Sequence, residues 1–202
     1  RLVDMVDAVA GDTQATWQRI LGNRYEMTKV VLFRDATQSG CGAAESATGP
    51  FYCPSDHKVY LDLGFFSELS QRFGAPGDFA QAYVVAHEFG HHVQNQLGIL
   101  PRAMQLQQSA GSKAQANNIQ VRVELQADCL AGVWANHAQR KKAFIDPGDV
   151  EGAIGIATAI GDDRLQKQAT GRVVPDSFTH GSSEQRVRWF KVGFESGRVS
   201  SC

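Results

Sequence analysis

Two histidines with a glutamate beside the first form the most chemically informative cluster in the sequence. They are His87 and His91, four positions apart, and Glu88 directly follows the first of them. On a helix, residues four apart lie on one face with Cβ atoms about 5–6 Å apart, so two imidazoles can bind one metal ion. A glutamate at the second position lies beside such an ion and can take a proton from an attacking water. The spacing therefore predicts a metal-dependent hydrolytic site.

The surroundings of this cluster favour a buried metal over ordinary hydrogen bonding. The preceding run at residues 83–86 (Tyr-Val-Val-Ala) predicts a largely buried helix, and a buried imidazole needs a polar partner. Gly90 lies in mid-helix, where glycine costs about 1 kcal/mol relative to alanine. That cost is understandable if another backbone packs closely against the helix at this point.

A zinc ion held by two histidines needs a third protein ligand and keeps a fourth position for water. The first candidates are Glu124 and Asp128, again four apart, on a predicted long helix. Glu124 would complete a set of two histidines and one glutamate, and Asp128 could accept a hydrogen bond from a ligating imidazole and fix its orientation. Small residues at Ala127 and Ala131 would let this helix approach the first. The alternative is a solvated helix face.

The other histidines have different predicted roles. His180 lies in a loop before the last helix and could stabilise the oxyanion of a transition state. Arg186 follows on that helix and could pair with Asp128. His92 points away from the direction of His87 and is expected to be structural. The histidines expected on the surface are His57 and His137.

The four cysteines lack the Cys-x-x-Cys spacing of a structural zinc site. Their even number fits two disulfides and an oxidising compartment, but four cysteines allow three pairings, and free buried thiols are the alternative. Cys41 and Cys53 flank a short loop and are the favoured pair, and Cys129 is then expected to pair with Cys202.

Composition places the chain among ordinary globular proteins. Its 202 residues are 43% hydrophobic with a formal net charge of −1, so we expect one domain over residues 1–202 and no nucleic-acid partner. Apolar runs fall short of the roughly 18 residues that a membrane span needs. The chain begins with neither an initiator methionine nor a signal pattern, so we expect that an N-terminal anchor or signal is missing from it.

The periodicity of apolar residues predicts a mostly helical α+β domain with a small β-sheet. Strands are expected over 27–33 and 57–63, paired in one sheet, with a loop over 35–56 between them. Residues 98–112 are predicted to break the helical pattern because they contain two glycines and a proline. Helices are predicted over 1–21, 64–73, 78–97, 114–142, about 147–167 and 183–195, with a loop over 169–182.

Five runs of the sequence follow one family pattern in order along nearly the whole chain. They are residues 39–42 (Ser-Gly-Cys-Gly), 49–54 (Gly-Pro-Phe-Tyr-Cys-Pro), 87–94 (His-Glu-Phe-Gly-His-His-Val-Gln), 124–134 (Glu-Leu-Gln-Ala-Asp-Cys-Leu-Ala-Gly-Val-Trp) and 179–187 (Thr-His-Gly-Ser-Ser-Glu-Gln-Arg-Val). In these runs the chain resembles the neutral zinc metallopeptidase family of bacteria. The match is more specific than the five-residue histidine motif.

The resemblance implies a zincin-like domain of the gluzincin type, similar at its core to thermolysin. It implies Zn²⁺ at His87, His91 and Glu124, with Glu88 as general base and a peptide or protein as substrate. Family members typically carry a membrane anchor before such a domain. This implies a location in the bacterial cell envelope, periplasmic or extracytoplasmic.

The expected reaction is hydrolysis of a peptide bond, with His180 at the oxyanion. An extended substrate would add to an exposed strand edge between Phe33 and Tyr60 through main-chain hydrogen bonds. In one alternative the domain binds zinc without cleaving, as a scaffold module of the envelope, although such a module has no use for Glu88. In the other it hydrolyses an amide that is not a peptide.

Overall fold

The structure, a computed structural model, describes residues 2–45, 49–73, 78–141, 145–146, 148–155 and 181–202. Within these ranges the architecture is α+β and mostly helical, as the sequence predicts. The helices are α1 (Leu2–Leu21), α2 (Leu63–Phe73), α3 (Asp78–Gln96), α4 (Ile99–Gln108), α5 (Lys113–Lys141), α6 (residues 149–155) and α7 (Ser183–Ser196). The strands are β1 (Lys29–Phe33), β2 (Ala36–Ser39), β3 (Gly42–Glu45), β4 (Phe51–Cys53) and β5 (Lys58–Asp62).

A three-stranded mixed sheet has the order β1-β5-β4. β1 runs parallel to β5, with Lys29 opposite Lys58 and Phe33 opposite Asp62, which confirms the predicted pairing of these two strands. β4 is antiparallel to β5 on its other side, and β2 pairs with β3 in a separate two-stranded sheet. β4 therefore lies at an edge of the larger sheet.

The predicted loop over residues 35–56 is wrong in part, because it contains β2, β3 and β4. These strands are only three or four residues long. They are stabilised by pairing with other strands, which local periodicity does not reveal. Cys41, between β2 and β3, is disulfide-bonded to Cys53 at the end of β4, so the small sheet is tied covalently to the larger one.

The predicted break over residues 98–112 is also wrong in part, because α4 occupies most of it. Gly98 precedes the helix with φ at 78°, a left-handed conformation that glycine adopts without strain. Pro101 lies in the first turn, where its missing N–H removes no helical hydrogen bond. The two residues that signal a break therefore mark the start of a new helix.

One hydrophobic core joins the sheet to the helices. It includes Leu61 of β5, Phe66 of α2 and Phe89 of α3, all fully buried. α3 passes through this core, and every residue from Phe79 to Gln94 is buried. A helix buried on all its faces can carry polar side chains only where neighbouring elements supply partners. This is the helix that carries the histidine pair.

Glycines set the spacing between α3, α5 and α7. A Cβ atom on Gly90 would lie 2.9 Å from the carbonyl oxygen of Ala127 on α5, so the close backbone approach predicted at Gly90 is confirmed. Gly132 of α5 and Gly193 of α7 are closer still. A Cβ on either would lie 2.0 Å or less from a carbonyl oxygen of the other helix. α5 is therefore packed between α3 and α7 at backbone contact.

Cys129 of α5 is disulfide-bonded to Cys202, so both favoured cysteine pairings are present. The helix predicted over about 147–167 is helical over 149–155. The rest of that helix and most of the predicted loop over 169–182 lie outside the described residues, as does His180. Across the described parts of the chain, every helix is too short or too polar to cross a membrane.

Candidate metal centre

The imidazoles of His87 and His91 and the carboxylate of Glu124 meet where α3 packs against α5. One ligand atom from each residue lies within 4.8 Å of the others. His87 Nε2 is 3.0 Å from Glu124 Oε1, and His91 Nε2 is 3.3 Å from Glu124 Oε2. The structure therefore brings together the three residues that the sequence singled out as ligands.

A charged network holds His87 through its other ring nitrogen. His87 Nδ1 donates to Asp128 Oδ1 at 2.8 Å. The same carboxylate accepts hydrogen bonds from Arg186 Nε at 2.8 Å and from the Tyr83 hydroxyl at 2.6 Å. Arg186 Nη2 donates in turn to the Tyr83 hydroxyl at 2.7 Å. These are the contacts predicted for Asp128 and Arg186, and Tyr83 completes them from the helix turn before His87.

A neutral chain of amides holds His91. Its Nδ1 donates to Gln94 Oε1 at 2.8 Å. Gln94 Nε2 donates to the carbonyl of Val123 at 2.9 Å and to Gln126 Oε1 at 2.8 Å. These two bonds keep the amide oxygen of Gln94, and not its nitrogen, directed at the imidazole. Gln94 was not predicted from the sequence. Its position three residues after His91 on one helix, a spacing that brings side chains together, is the signal that could have revealed it.

Glu124 is oriented from two helices. Its Oε2 accepts a hydrogen bond from Gln120 Nε2 of α5 at 3.0 Å. Gln107 of α4 donates to Gln120 Oε1 at 3.0 Å. Gln107 was not predicted because α4 was not, and Gln120 was missed although its position four residues before Glu124 on α5 predicts a contact. The carboxylate therefore has a defined orientation toward both imidazoles.

The electrostatics of this cluster favour positive charge at its centre. Burial lowers the pKa of His87, but the carboxylates of Asp128 and Glu124 outweigh burial and raise the pKa to about 10. The pKa of His91 is also raised, because Glu124 outweighs burial. Burial raises the pKa of Glu124, yet the two imidazoles hold it well below its usual value. A field that draws protons onto two imidazoles also attracts a divalent cation.

Glu88 opens onto a cavity beside this cluster. The cavity measures about 370 Å³, and its lining includes Glu88, His91 and Glu124 together with Phe51 and Tyr52 of the edge strand β4. Burial raises the pKa of Glu88 above its usual value, against the opposing effect of the two histidines. A carboxyl group with a raised pKa at a ligand-sized cavity is suited to accept and return a proton.

The donor set fits a zinc ion. Two imidazole nitrogens and one carboxylate oxygen are the protein ligands of many catalytic zinc sites, in which the next position stays open. Both imidazoles use Nδ1 to donate to a fixed acceptor, which is typical of ligating histidines and directs each Nε2 to the centre. The residues His87, His91 and Glu124 could therefore hold a metal ion.

Comparison with known proteins agrees with this geometry. Residues 1–202 match the family described as "Putative neutral zinc metallopeptidase". The chain belongs to this family. The uncharacterized protein YpfJ of Escherichia coli strain K12 is 52% identical over 197 residues, which cover 96% of this chain and 68% of that protein. The uncharacterized protein Mb2605 of Mycobacterium bovis is 44% identical over 207 residues, which cover 98% of this chain and 68% of that protein. No solved structure matches.

Three other histidines in the described part of the chain, His57, His92 and His137, lie outside the cluster. His92 is buried, with Nε2 donating to the carbonyl of Glu26 at 2.7 Å and Nδ1 accepting from the Tyr52 hydroxyl at 2.8 Å. Its predicted structural role is confirmed. His57 is exposed, as predicted. The surface position predicted for His137 is wrong in part, because the chain after α7 covers it and leaves it half-buried.

Proposed function

We propose that the protein is a zinc-dependent peptidase with His87, His91 and Glu124 as metal ligands and Glu88 as general base. The observation that carries this proposal is the convergence of two imidazole nitrogens and one carboxylate within 4.8 Å, at a cavity that Glu88 also lines. Membership of a family described as zinc metallopeptidases supports it.

In the proposed reaction, a bound zinc ion would polarise the scissile carbonyl and lower the pKa of the attacking water. Glu88 takes a proton from that water as it attacks the carbonyl carbon and passes the proton to the leaving amine. Burial raises the pKa of Glu88, which brings it closer to neutral pH, where transfer in both directions is efficient. Asp128 and Gln94 keep both imidazoles in one orientation throughout.

We propose that an extended substrate binds along β4. Among the described residues this strand pairs with β5 alone, and its Phe51 and Tyr52 line the cavity that Glu88 also lines. Main-chain hydrogen bonds to the outer edge of β4 would lay the scissile bond across the cavity. β4 lies between Phe33 and Tyr60, where the sequence predicted the substrate edge. The oxyanion role of His180 stays a prediction.

We also propose a location in the cell envelope. The disulfides Cys41–Cys53 and Cys129–Cys202 are of a kind that forms and persists in oxidising compartments. The anchor that the family resemblance implies stays a prediction.

Metal content tests the ligands. We expect about one zinc per chain in the wild type by elemental mass spectrometry and a sharp loss of zinc in Glu124→Ala. Glu195→Ala removes an exposed carboxylate of α7 and should keep the metal. A wild-type protein that takes up no zinc, even after zinc is offered and the excess removed, would overturn the proposal.

Cleavage of a peptide library tests the general base. Glu88→Gln keeps the size of the side chain but removes the proton acceptor, so we expect zinc to be retained and cleavage to fall at least about 100-fold. The control Glu195→Gln should cleave normally. Normal cleavage by Glu88→Gln would refute the role of Glu88, and zinc binding without cleavage in the wild type would favour the non-catalytic module.

A further inference from the structure

Helix α4 lines two cavities and presents one exposed apolar side chain to each. Met104 lines the cavity that contains Glu88 and His91. Leu106 lines a second cavity of about 590 Å³. Their exposed fractions are similar, 48% for Met104 and 43% for Leu106. Met104 is therefore an apolar side chain that faces the reaction site instead of the core.

The cavity wall around Met104 is apolar. Leu100 and Ala103 of α4 and Val123 of α5 line the same cavity, and each is buried. Phe51 of β4 lines it as well. An apolar side chain placed against this wall would remove apolar surface from water on both partners, which is favourable.

The polar groups next to this wall are uncharged or belong to the reaction site. Gln107 donates to Gln120, and Gln120 donates to Glu124, so both amides already have partners. Among the described residues that line the cavity there is no lysine or arginine, and the carboxylates are those of Glu88 and Glu124. A charged substrate side chain would find no counterion on the α4 wall itself, whereas an apolar side chain would bury apolar surface there.

We propose that this wall is a specificity pocket for one uncharged, apolar side chain next to the scissile bond, and that Met104 determines the preference. The inference rests on the proposed peptidase function and names its substrate class, peptides with leucine, methionine or phenylalanine at that position. Methionine suits this role because its flexible thioether adapts to apolar groups of different shape. At about 370 Å³, the cavity is at the small end for ligand sites, which favours a single large side chain.

Charge substitutions at Met104 test the assignment, with Leu106 as the matched control on the same helix. In the wild type, kcat/KM for a peptide with leucine beside the cleaved bond should exceed that for its lysine analogue by about tenfold or more. Met104→Glu should shift the preference toward lysine, and Met104→Lys should shift it toward glutamate. Leu106→Glu should leave the wild-type preference unchanged. Opposite shifts with opposite charges cannot result from a general loss of folding.

Equal rates for the leucine and lysine peptides in the wild type would overturn the pocket while leaving the peptidase function in place. An unchanged preference in both Met104 variants would overturn the role of Met104 in the same way. Binding distinguishes these failures from failure of the proposed function. Calorimetry on Glu88→Gln with capped peptides should show the leucyl peptide binding about tenfold more tightly than the lysyl peptide. If the leucyl peptide binds more tightly but the wild type cleaves neither peptide, the pocket is supported and the peptidase function is overturned. Equal affinities for the two peptides would overturn the pocket.

Discussion

The two histidines at the centre of the protein are oriented by opposite kinds of chemistry. His87 donates to Asp128, whose charge is balanced by Arg186 in a buried ionic network. His91 donates to Gln94, a neutral amide whose own donors are taken up by a backbone carbonyl and another amide. The orientation of His87 therefore depends on a balance of buried charges. The orientation of His91 depends on hydrogen bonds between neutral groups.

This difference predicts that substitutions beside the two imidazoles affect the protein in different ways. Removing one member of a buried ion pair leaves the other charged and without a counterion, which destabilises the whole fold. Removing one member of an amide chain costs a hydrogen bond and the orientation it enforced. The Asp128 network also joins α3, α5 and α7. We expect substitutions beside His87 to lower the stability of the fold, and substitutions beside His91 to lower mainly the affinity for zinc.

Asp128→Asn should have the largest effect. It removes the carboxylate that pairs with the buried guanidinium of Arg186, so we expect the free energy of unfolding to fall by about 3–5 kcal/mol. Denaturant unfolding of the metal-free protein measures this loss.

The double variant Asp128→Asn with Arg186→Met provides the control, because it removes both charges. It should recover much of the lost stability while zinc affinity stays low, since His87 keeps no anionic partner at Nδ1. A single variant as stable as the wild type would show that the ionic network does not hold the helices together.

Gln94→Leu should have the next largest effect, on metal binding more than on stability. His91 loses the acceptor that fixes its ring, and we expect zinc affinity to fall by about 10- to 100-fold. Competition with a chelator measures the affinity. Gln126→Leu, one step further from the imidazole, should have a smaller effect. Equal losses in the two variants would mean that Gln94 acts through packing and not through His91.

The number of protons released on zinc binding should show the smallest effect of these substitutions, but the one most specific to His87. Burial lowers the pKa of His87, but Asp128 and Glu124 raise it to about 10, so at pH 7 the entering zinc must displace a proton from this ring. Zinc affinity should therefore rise with pH and level off above the pKa. We expect release of about one proton or more per zinc in weakly buffered solution.

Substitutions of the two hydrogen-bond partners, Asp128 of His87 and Gln94 of His91, should differ in this assay. The double variant at Asp128 and Arg186 should release fewer protons, because His87 has lost one of the carboxylates that raise its pKa. Gln94→Leu should release as many as the wild type, because it removes no charge. Equal release by the double variant and the wild type would contradict the assigned role of Asp128.

The members of the candidate ligand cluster could be predicted because helix geometry places each pair on one face of its own helix, although it does not place the two helices together. His87 and His91 share a face by their spacing, as do Glu124 and Asp128. Arg186 was paired with Asp128 from its position on the last helix, and the two lie in contact.

The cavity wall could not be predicted in the same way. α4 begins at Ile99, between Gly98 and Pro101, and both of these residue types also commonly follow the end of a helix. β4 is three residues long and owes its conformation to pairing with β5. The cavity wall was therefore missed because α4 follows residues that commonly end helices and β4 depends on a distant strand.

The place of Arg186 in the chain has a consequence for biosynthesis. It follows Asp128 by 58 residues, so a ribosome completes α3 and α5, with all three proposed ligands, well before α7 emerges. The nascent chain at that stage has an Asp128 without its guanidinium partner. Docking of α7 against Gly132, with the Cys129–Cys202 bond, is then the step that gives the site its charge balance. The proposed site of a newly made chain therefore reaches its charge balance only after α7 has emerged and docked.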